Sequence, residues 1–194
     1  MPEGDYLFMT TAPADLKDIS GIPGDADGRY RLAIGLLGTA LARLAAGYEA
    51  NAADRQDLLQ NIHPQVWRSM ASFDGRCSLK TWVYRVAHNV AADHVAMQRR
   101  QGGTISLGDP DGTRVEERVE SHEAVVSDRL ALEQIHGLLH QMVPIDRQVM
   151  LLYLEDESAA TIAEVSGLSA GAVATRIHRL KRYLASVFGT EAGS

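Results

Sequence analysis

Between Gly102 and Glu123 the chain drops the three- and four-residue apolar repeat that runs on either side of it. Gly102, Gly103, Asp109, Pro110, Asp111 and Gly112 interrupt regular structure, and the acidic stretch that follows has too few apolar residues to build a core. Such an interruption makes the flanking segments fold as two units. With 194 residues, 45% of them apolar, the chain has material for one moderate core or two small ones. The expected fold is all-α, with two small helical domains joined by a flexible acidic linker. Boundaries fall at 1–28 for a tail that is poorly ordered or docked, 29–101 for the first domain, 102–126 for the linker, 127–188 for the second domain and 189–194 for a C-terminal tail. In the first tail, Pro2, Pro13 and Pro23 break any helical period, and Tyr6, Leu7, Phe8 and Met9 form a run able to anchor it.

In the first domain, a helix is expected over 29–50 with Leu32, Leu36, Leu37, Ala40, Leu41, Leu44 and Tyr48 as its apolar stripe. A second is expected over 53–72, with Leu58, Leu59, Ile62, Val66, Trp67 and Met70 inward and Asn51 or Asp54 at its start. Pro64 lies inside it. An interior proline costs about 3 kcal/mol or more, so a kink or a break is expected near Ile62. Asp74-Gly75 marks a turn and Ser78 suits an N-cap, so a third helix should begin near Leu79. Leu79, Trp82, Val83, Val86, Val90 and Val95 recur at helical spacing, while Lys80, Arg85, His88, Asn89, Asp93, Arg99 and Arg100 fall largely elsewhere. That helix has a core face and a donor face. Trp67 and Trp82, at core spacing, read as packing residues rather than base-stacking platforms.

The second domain opens at Ser127-Asp128, followed by Leu130, Ile135, Leu138, Leu139 and Met142. Pro144 suits the first turn of a further helix, reaching about Leu154. A helix-turn-helix pattern ends the chain. Ser158 caps a short helix, Gly167 supplies the turn, Ser169 caps a longer helix, and Val173, Ile177, Leu180, Leu184 and Val187 line its buried side. Outward from it stand Thr175, Arg176, His178, Arg179, Lys181 and Arg182, a composition suited to reading a DNA groove.

The net charge of −6 argues against a nucleic-acid partner only if charge is spread evenly. It is not: acids gather in the N-terminal tail and in 109–123, while 76–100 and 176–182 are basic. Local cation density decides such binding. No apolar run reaches membrane-spanning length, so no membrane insertion is expected, and with no secretory signal visible at the start, a cytoplasmic protein is. The single cysteine, Cys77, excludes an internal disulfide and any multi-cysteine zinc site. Glu133, His136 and His140 share one helix face, but no second helix offers a ligand at metal spacing, so neither a metal nor a cofactor is expected. No Gly-rich phosphate loop, nucleophile elbow or paired nucleophile is present, and no enzyme activity is expected. Asn89 and Asp93 stand four apart beside Arg85 and His88, and an asparagine there can read a base edge.

With these residues in hand, the chain resembles a bacterial RNA polymerase sigma factor of the extracytoplasmic-function (group IV) sigma-70 family. Asp57-Leu58-Leu59-Gln60, Trp67, Phe73-Asp74-Gly75-Arg76 and the run from Thr81 to Asn89 look like region 2 of that family. Pro144 to Arg147, Ile162-Ala163-Glu164, Gly167-Leu168-Ser169 and Val173 to Arg179 look like region 4. The resemblance implies a promoter-specificity subunit whose first domain binds the β′ coiled coil of core RNA polymerase and opens the −10 element, and whose second domain binds the −35 duplex and the β flap. Asp54, Asp57, Gln60 and Asn61 would then face polymerase. Arg76, Ser78, Lys80, Arg85, His88, Asn89 and Asp93 would hold unstacked −10 DNA, and Ser169, Thr175, Arg176, His178, Arg179 and Arg182 would address the −35 element. Promoter DNA and core polymerase are the implied partners, and an anti-sigma factor is a further one that the family admits.

Two departures bear on that expectation. Asn61 stands where the family usually carries an acid, and Ala174 stands where many members carry a basic residue. Two other readings fit the same residues: a helix-turn-helix regulator that acts without polymerase, and a degenerate sigma-like module for protein interaction.

Overall fold

The structure, a computed structural model, describes residues 24–100 and 134–188. Among the described residues all regular structure is helical. α1 (Ala26–Tyr48) starts three residues earlier than its apolar stripe suggests, because Asp25 caps it by accepting from the Gly28 N–H at 2.7 Å. Asn51 caps α2 (Ala52–Ser69) by accepting from the amides of Ala53 and Asp54 at 2.8 and 3.2 Å. A single 3₁₀ turn, Met70–Ser72, follows it. α3 (Leu79–Arg100) begins at the expected residue, with Ser78 Oγ accepting from the Thr81 amide at 3.0 Å.

α2 runs unbroken through Pro64. The ring removes one amide and so deprives the Gln60 carbonyl of its partner. Gln60 and Pro64 are both exposed, so water can serve that carbonyl and the break expected at Ile62 does not occur.

α1, α2 and α3 pack on one another around Leu41, Leu58, Ile62, Met70, Leu79 and Val83, all fully buried. Burying a side chain of this size contributes about 1.5–3 kcal/mol before entropy is counted. Ala33, Ala45, Ala87 and Ala91 are also fully buried and let the helices approach closely. Ala87 and Ala91 widen the buried face of α3 beyond the valine repeat, which takes in Thr81, Tyr84 and His88 as well.

The second unit comprises the helical turns 134–141, α4 (Pro144–Leu154), α5 (Ala159–Ser166) and α6 (Ala170–Phe188). Pro144 occupies the first turn of α4, where its missing amide costs nothing. Ser158 Oγ caps α5 through the Thr161 amide at 3.1 Å, and Ser169 Oγ accepts from the Ala172 amide of α6 at 3.2 Å. Between them Gly167 adopts φ 73°, a left-handed conformation that a side chain would resist. Leu139, Val149, Met150, Leu152, Ile162 and Val173 form the core here. Arg147, only 3% exposed, ties the preceding turn to α4 by donating to the carbonyls of Leu139 and His140 at 2.8 and 2.6 Å.

The two units are packed against each other, α1 on α4 and α3 on α5. Gly47 is at the crossing of α1 and α4. A Cβ on it would lie 2.9 Å from Leu151 Cδ1 and 3.1 Å from its Cγ, so the close approach depends on glycine. The Arg147 guanidinium lies over the Tyr48 ring at 5.3 Å, and His140 Nε2 donates to the Ala46 carbonyl at 3.0 Å. Of the tail expected over 1–28, residues 26–28 are already helical; the expectations for 1–23, the linker, Ser127-Asp128, Leu130 and 189–194 concern residues outside those described.

Candidate nucleic-acid and polymerase interfaces

Three surfaces carry the residues singled out by sequence. On α2, Asp57, Gln60 and Asn61 are exposed and Asp54 is half-buried. They recur at three- and four-residue steps and so share one helix face. Beside them an open cleft of about 390 Å³ is lined by Tyr30, Gln60, His63, Pro64 and Trp67. Trp67 corrects the sequence expectation: it is 46% exposed rather than packed, and its Nε1–H donates to Asp27 Oδ1 at 2.7 Å. Trp82 does pack, with its ring edge-on to Phe73 at 5.7 Å and Nε1–H donating to Ser69 Oγ at 3.0 Å.

On α3 the donor face is divided. Asn89 and Asp93 are exposed, one helical turn apart. Arg76 is exposed in the preceding turn, where its amide and Nε are held by Asp74 at 3.1 and 2.5 Å. Ser78 is buried as the helix cap and bonds Thr81 Oγ1 at 2.8 Å. Lys80 is ion-paired with Glu157 at 2.7 Å, and Arg85 Nη2 donates to the Glu164 carbonyl at 2.8 Å. His88 is a correction. It lies on the core side, 2% exposed, bonded to Tyr48 Oη at 3.0 Å, and burial pushes its pKa down to about 3. A neutral, enclosed imidazole offers no donor to DNA. Polar residues at core spacing are invisible to a rule that assigns polarity to the surface.

On α6, Ser169, Thr175, His178, Arg179 and Arg182 are exposed and Arg176 is half-buried. Thr175 Oγ1 donates back to the Gly171 carbonyl at 2.9 Å. Asp146 of α4 accepts from both Arg176 and Arg179, the latter at 2.6 Å. One buried carboxylate thus sets the direction of two arginines on the second helix of the motif. Asp146 carries no sign of this in the sequence, since the contact spans 30 residues.

The histidines weighed as metal ligands are otherwise engaged. The rings of His136 and His140 stack with centroids 6.5 Å apart, and His140 Nε2 is committed to the Ala46 carbonyl. Glu133 lies outside the described residues, and among those described no three acidic, histidine or cysteine side chains are placed to hold a metal ion. Burial raises the pKa of the Cys77 thiol, which leaves it protonated at neutral pH. No helix among the described residues is long and apolar enough to cross a membrane.

Comparison with known proteins follows this division of the chain. Sigma-70 region 2 matches residues 34–101, and Sigma-70, region 4, matches residues 132–184. The extracytoplasmic-function RNA polymerase sigma factor SigG of Mycobacterium tuberculosis is 29% identical over 154 residues, covering 69% of this chain. The chain spans only 42% of the length of that relative. SigX of Bacillus subtilis is 30% identical over 130 residues, covering 64% of this chain and 65% of its own, and the sigma-E factor of Haemophilus influenzae is 26% identical over 140, covering 68% and 72%. The solved structure of CnrH in complex with the cytosolic domain of CnrY has a similar fold, with a TM-score of 0.61 at 22% identity, covering 88% of this chain and 92% of that one. Region 2 coincides with α1 to α3 and region 4 with the helices that end in the helix-turn-helix, and this chain belongs to the extracytoplasmic-function sigma factors of the sigma-70 family.

Proposed function

We propose that the protein directs core RNA polymerase to specific promoters and initiates transcription there, without catalysis of its own. The observation that carries this reading is the coincidence of the two sigma-70 blocks with two helical units, the second ending in a capped, glycine-turned helix-turn-helix. In this reading Asp54, Asp57, Gln60 and Asn61 face the β′ coiled coil, and the second unit also meets the β flap. Asn89 and Asp93, with Arg76, Lys80 and Arg85, hold the non-template strand of the −10 element. Extruding a base costs a few kcal/mol, which contacts to its edge must offset. Ser169, Thr175, His178, Arg179 and Arg182 address the −35 major groove, with Arg176 held beside them by Asp146.

Such a subunit works in the cytoplasm. The likeness to a protein solved with the cytosolic domain of another supports an anti-sigma factor as a further partner. Core polymerase with this protein, given a pool of genomic fragments, should yield discrete transcript starts that core polymerase alone does not. A pool without such starts rejects the reading.

A further inference from the structure

Arg29 lies in the first turn of α1, but its guanidinium serves a segment 41 residues further along the chain. Nη1 donates to the Met70 carbonyl at 2.9 Å and, more distantly, to the Phe73 carbonyl at 3.5 Å, while Nη2 donates to the Gly24 carbonyl at 2.9 Å. The same group lies over the Phe73 ring, 5.9 Å from its centroid. Trp82 of α3 meets that ring edge-on and is itself bonded to Ser69. Phe73, 8% exposed, is thus held from α1 and from α3 at once.

Phe73 is the entrance to the turn that leads into α3, and Ser78, which caps that helix, is its exit. Between them Gly75 takes φ 76°, and Asp74 accepts from the amide and Nε of Arg76. The Asp74–Arg76 pair is exposed, with the Arg76 side chain 89% accessible, so it does little to fix the turn. The entrance is fixed instead by half-buried bonds from a cation, which are stronger than neutral ones. From its own 3₁₀ turn the Met70 carbonyl receives a long bond, 3.4 Å, from the Phe73 amide, and Arg29 reinforces it.

We propose that Arg29 is a positioning residue for −10 readout: by fixing Phe73 it sets where residues 74–77 present Arg76 to an extruded base, without touching DNA itself. The inference rests on the assignment of Arg76 to the −10 strand. A turn that is already ordered takes up a base without the cost of ordering itself, and it fits fewer bases well. Loosening the entrance therefore lowers discrimination between bases, not only affinity.

The test compares the full chain with Arg29→Gln, which removes the cation but keeps an amide donor, and Arg29→Lys, which keeps the charge but replaces the planar fork by a point donor. Order in the turn is read without polymerase, by the rate at which iodoacetamide alkylates Cys77, the single cysteine, half-buried in this turn. Base preference is read with core polymerase on a promoter library randomised at both the −10 and the −35 element, by sequencing the transcripts. A urea titration of each protein gives its unfolding midpoint.

Arg29→Gln should speed alkylation about tenfold, the size of effect expected when a charge-assisted bond is lost, and flatten base preference within the −10 element by about the same factor. Preference at the −35 element should not change. Arg29→Lys should fall between Arg29→Gln and the unaltered chain on both readouts, and it decides the matter if Arg29→Gln does not fold. Unchanged alkylation, faster alkylation with an unchanged −10 preference, or parallel losses at −10 and −35 overturn the proposal. Discrete transcripts with an intact −10 preference remove the role of Arg29 and keep the sigma assignment. Faster alkylation with no transcripts from any form of the protein removes the sigma assignment and leaves Arg29 only as the anchor of the turn.

Discussion

Tyr48 Oη and His88 Nδ1 stand 3.0 Å apart where α1 meets α3, with both residues almost wholly buried. The Arg147 guanidinium lies over that tyrosine ring, so the same residue joins the core of the first unit to the second. Burial holds His88 neutral, with its pKa near 3 against an ordinary value of 6.5. Unfolding releases it to bind a proton. Stability from this group is therefore fully present above about pH 6.5 and is lost as the pH falls toward 3. The loss should approach about 1.4 kcal/mol per pH unit in that window. His88→Gln keeps a hydrogen-bonding side chain but does not titrate. Urea titrations at pH 7 and pH 4.5 should show a smaller difference in the variant than in the unaltered protein.

Gly167 at φ 73° joins α5 to α6. Gly167→Ala should destabilise the second unit by about 1–2 kcal/mol, the cost of a side chain in that conformation. A thermal midpoint equal to that of the unaltered protein would show that the turn does not hold this backbone.

Asp146 orients Arg176 and Arg179, but the two arginines differ in exposure, 29% against 62%. Arg176→Ala should lower both stability and −35 duplex affinity, the latter by about 1–3 kcal/mol if it reaches a base. Arg179→Ala should cost mainly affinity, because its half of the pair is more open to solvent. Chemical denaturation alongside anisotropy on a duplex selected by in vitro transcription separates the two effects.

Asn89 and Asp93 are exposed to solvent. Asn89→Ala should leave the unfolding midpoint unchanged and weaken promoter opening, read by permanganate reactivity of −10 thymines. A variant that opens promoters as well as the unaltered protein would take Asn89 out of the strand-holding set.

Asn61→Glu restores an acid on the exposed face of α2. Binding to core polymerase should tighten, and the gain should shrink as salt is raised, because an exposed charge contact is screened. Equal or weaker affinity would mean that this face does not meet polymerase.

The local features were legible in the order of residues: the caps at Ser78, Ser158 and Ser169, the turn at Gly167, and the motif blocks that place the chain among the sigma factors. Each depends on residues within a few positions of one another, where backbone geometry ties sequence spacing to contact. Pro64 does not break α2 as its position suggests, because its cost depends on whether water reaches the Gln60 carbonyl. Trp67 and His88 were exchanged between surface and core, since a period assigns a face but does not say how wide the buried face will be. Alanines at 33, 45, 87 and 91 widened it on α1 and α3.

What sequence alone determined is a chain of helices with their ends, grouped into two motif-bearing units. Only the tertiary structure decided how those units meet. Lys80 with Glu157, Arg43 with Glu155 and Asp146 with Arg176 are pairs from distant parts of the chain. Charges of either sign are common along any helix, and no local spacing selects which will meet. Packing of α1 on α4 at Gly47 and of α3 on α5 makes that selection for Arg43 and Lys80, and packing of α4 on α6 makes it for Asp146, because helices that touch bring each carboxylate to the cations opposite it.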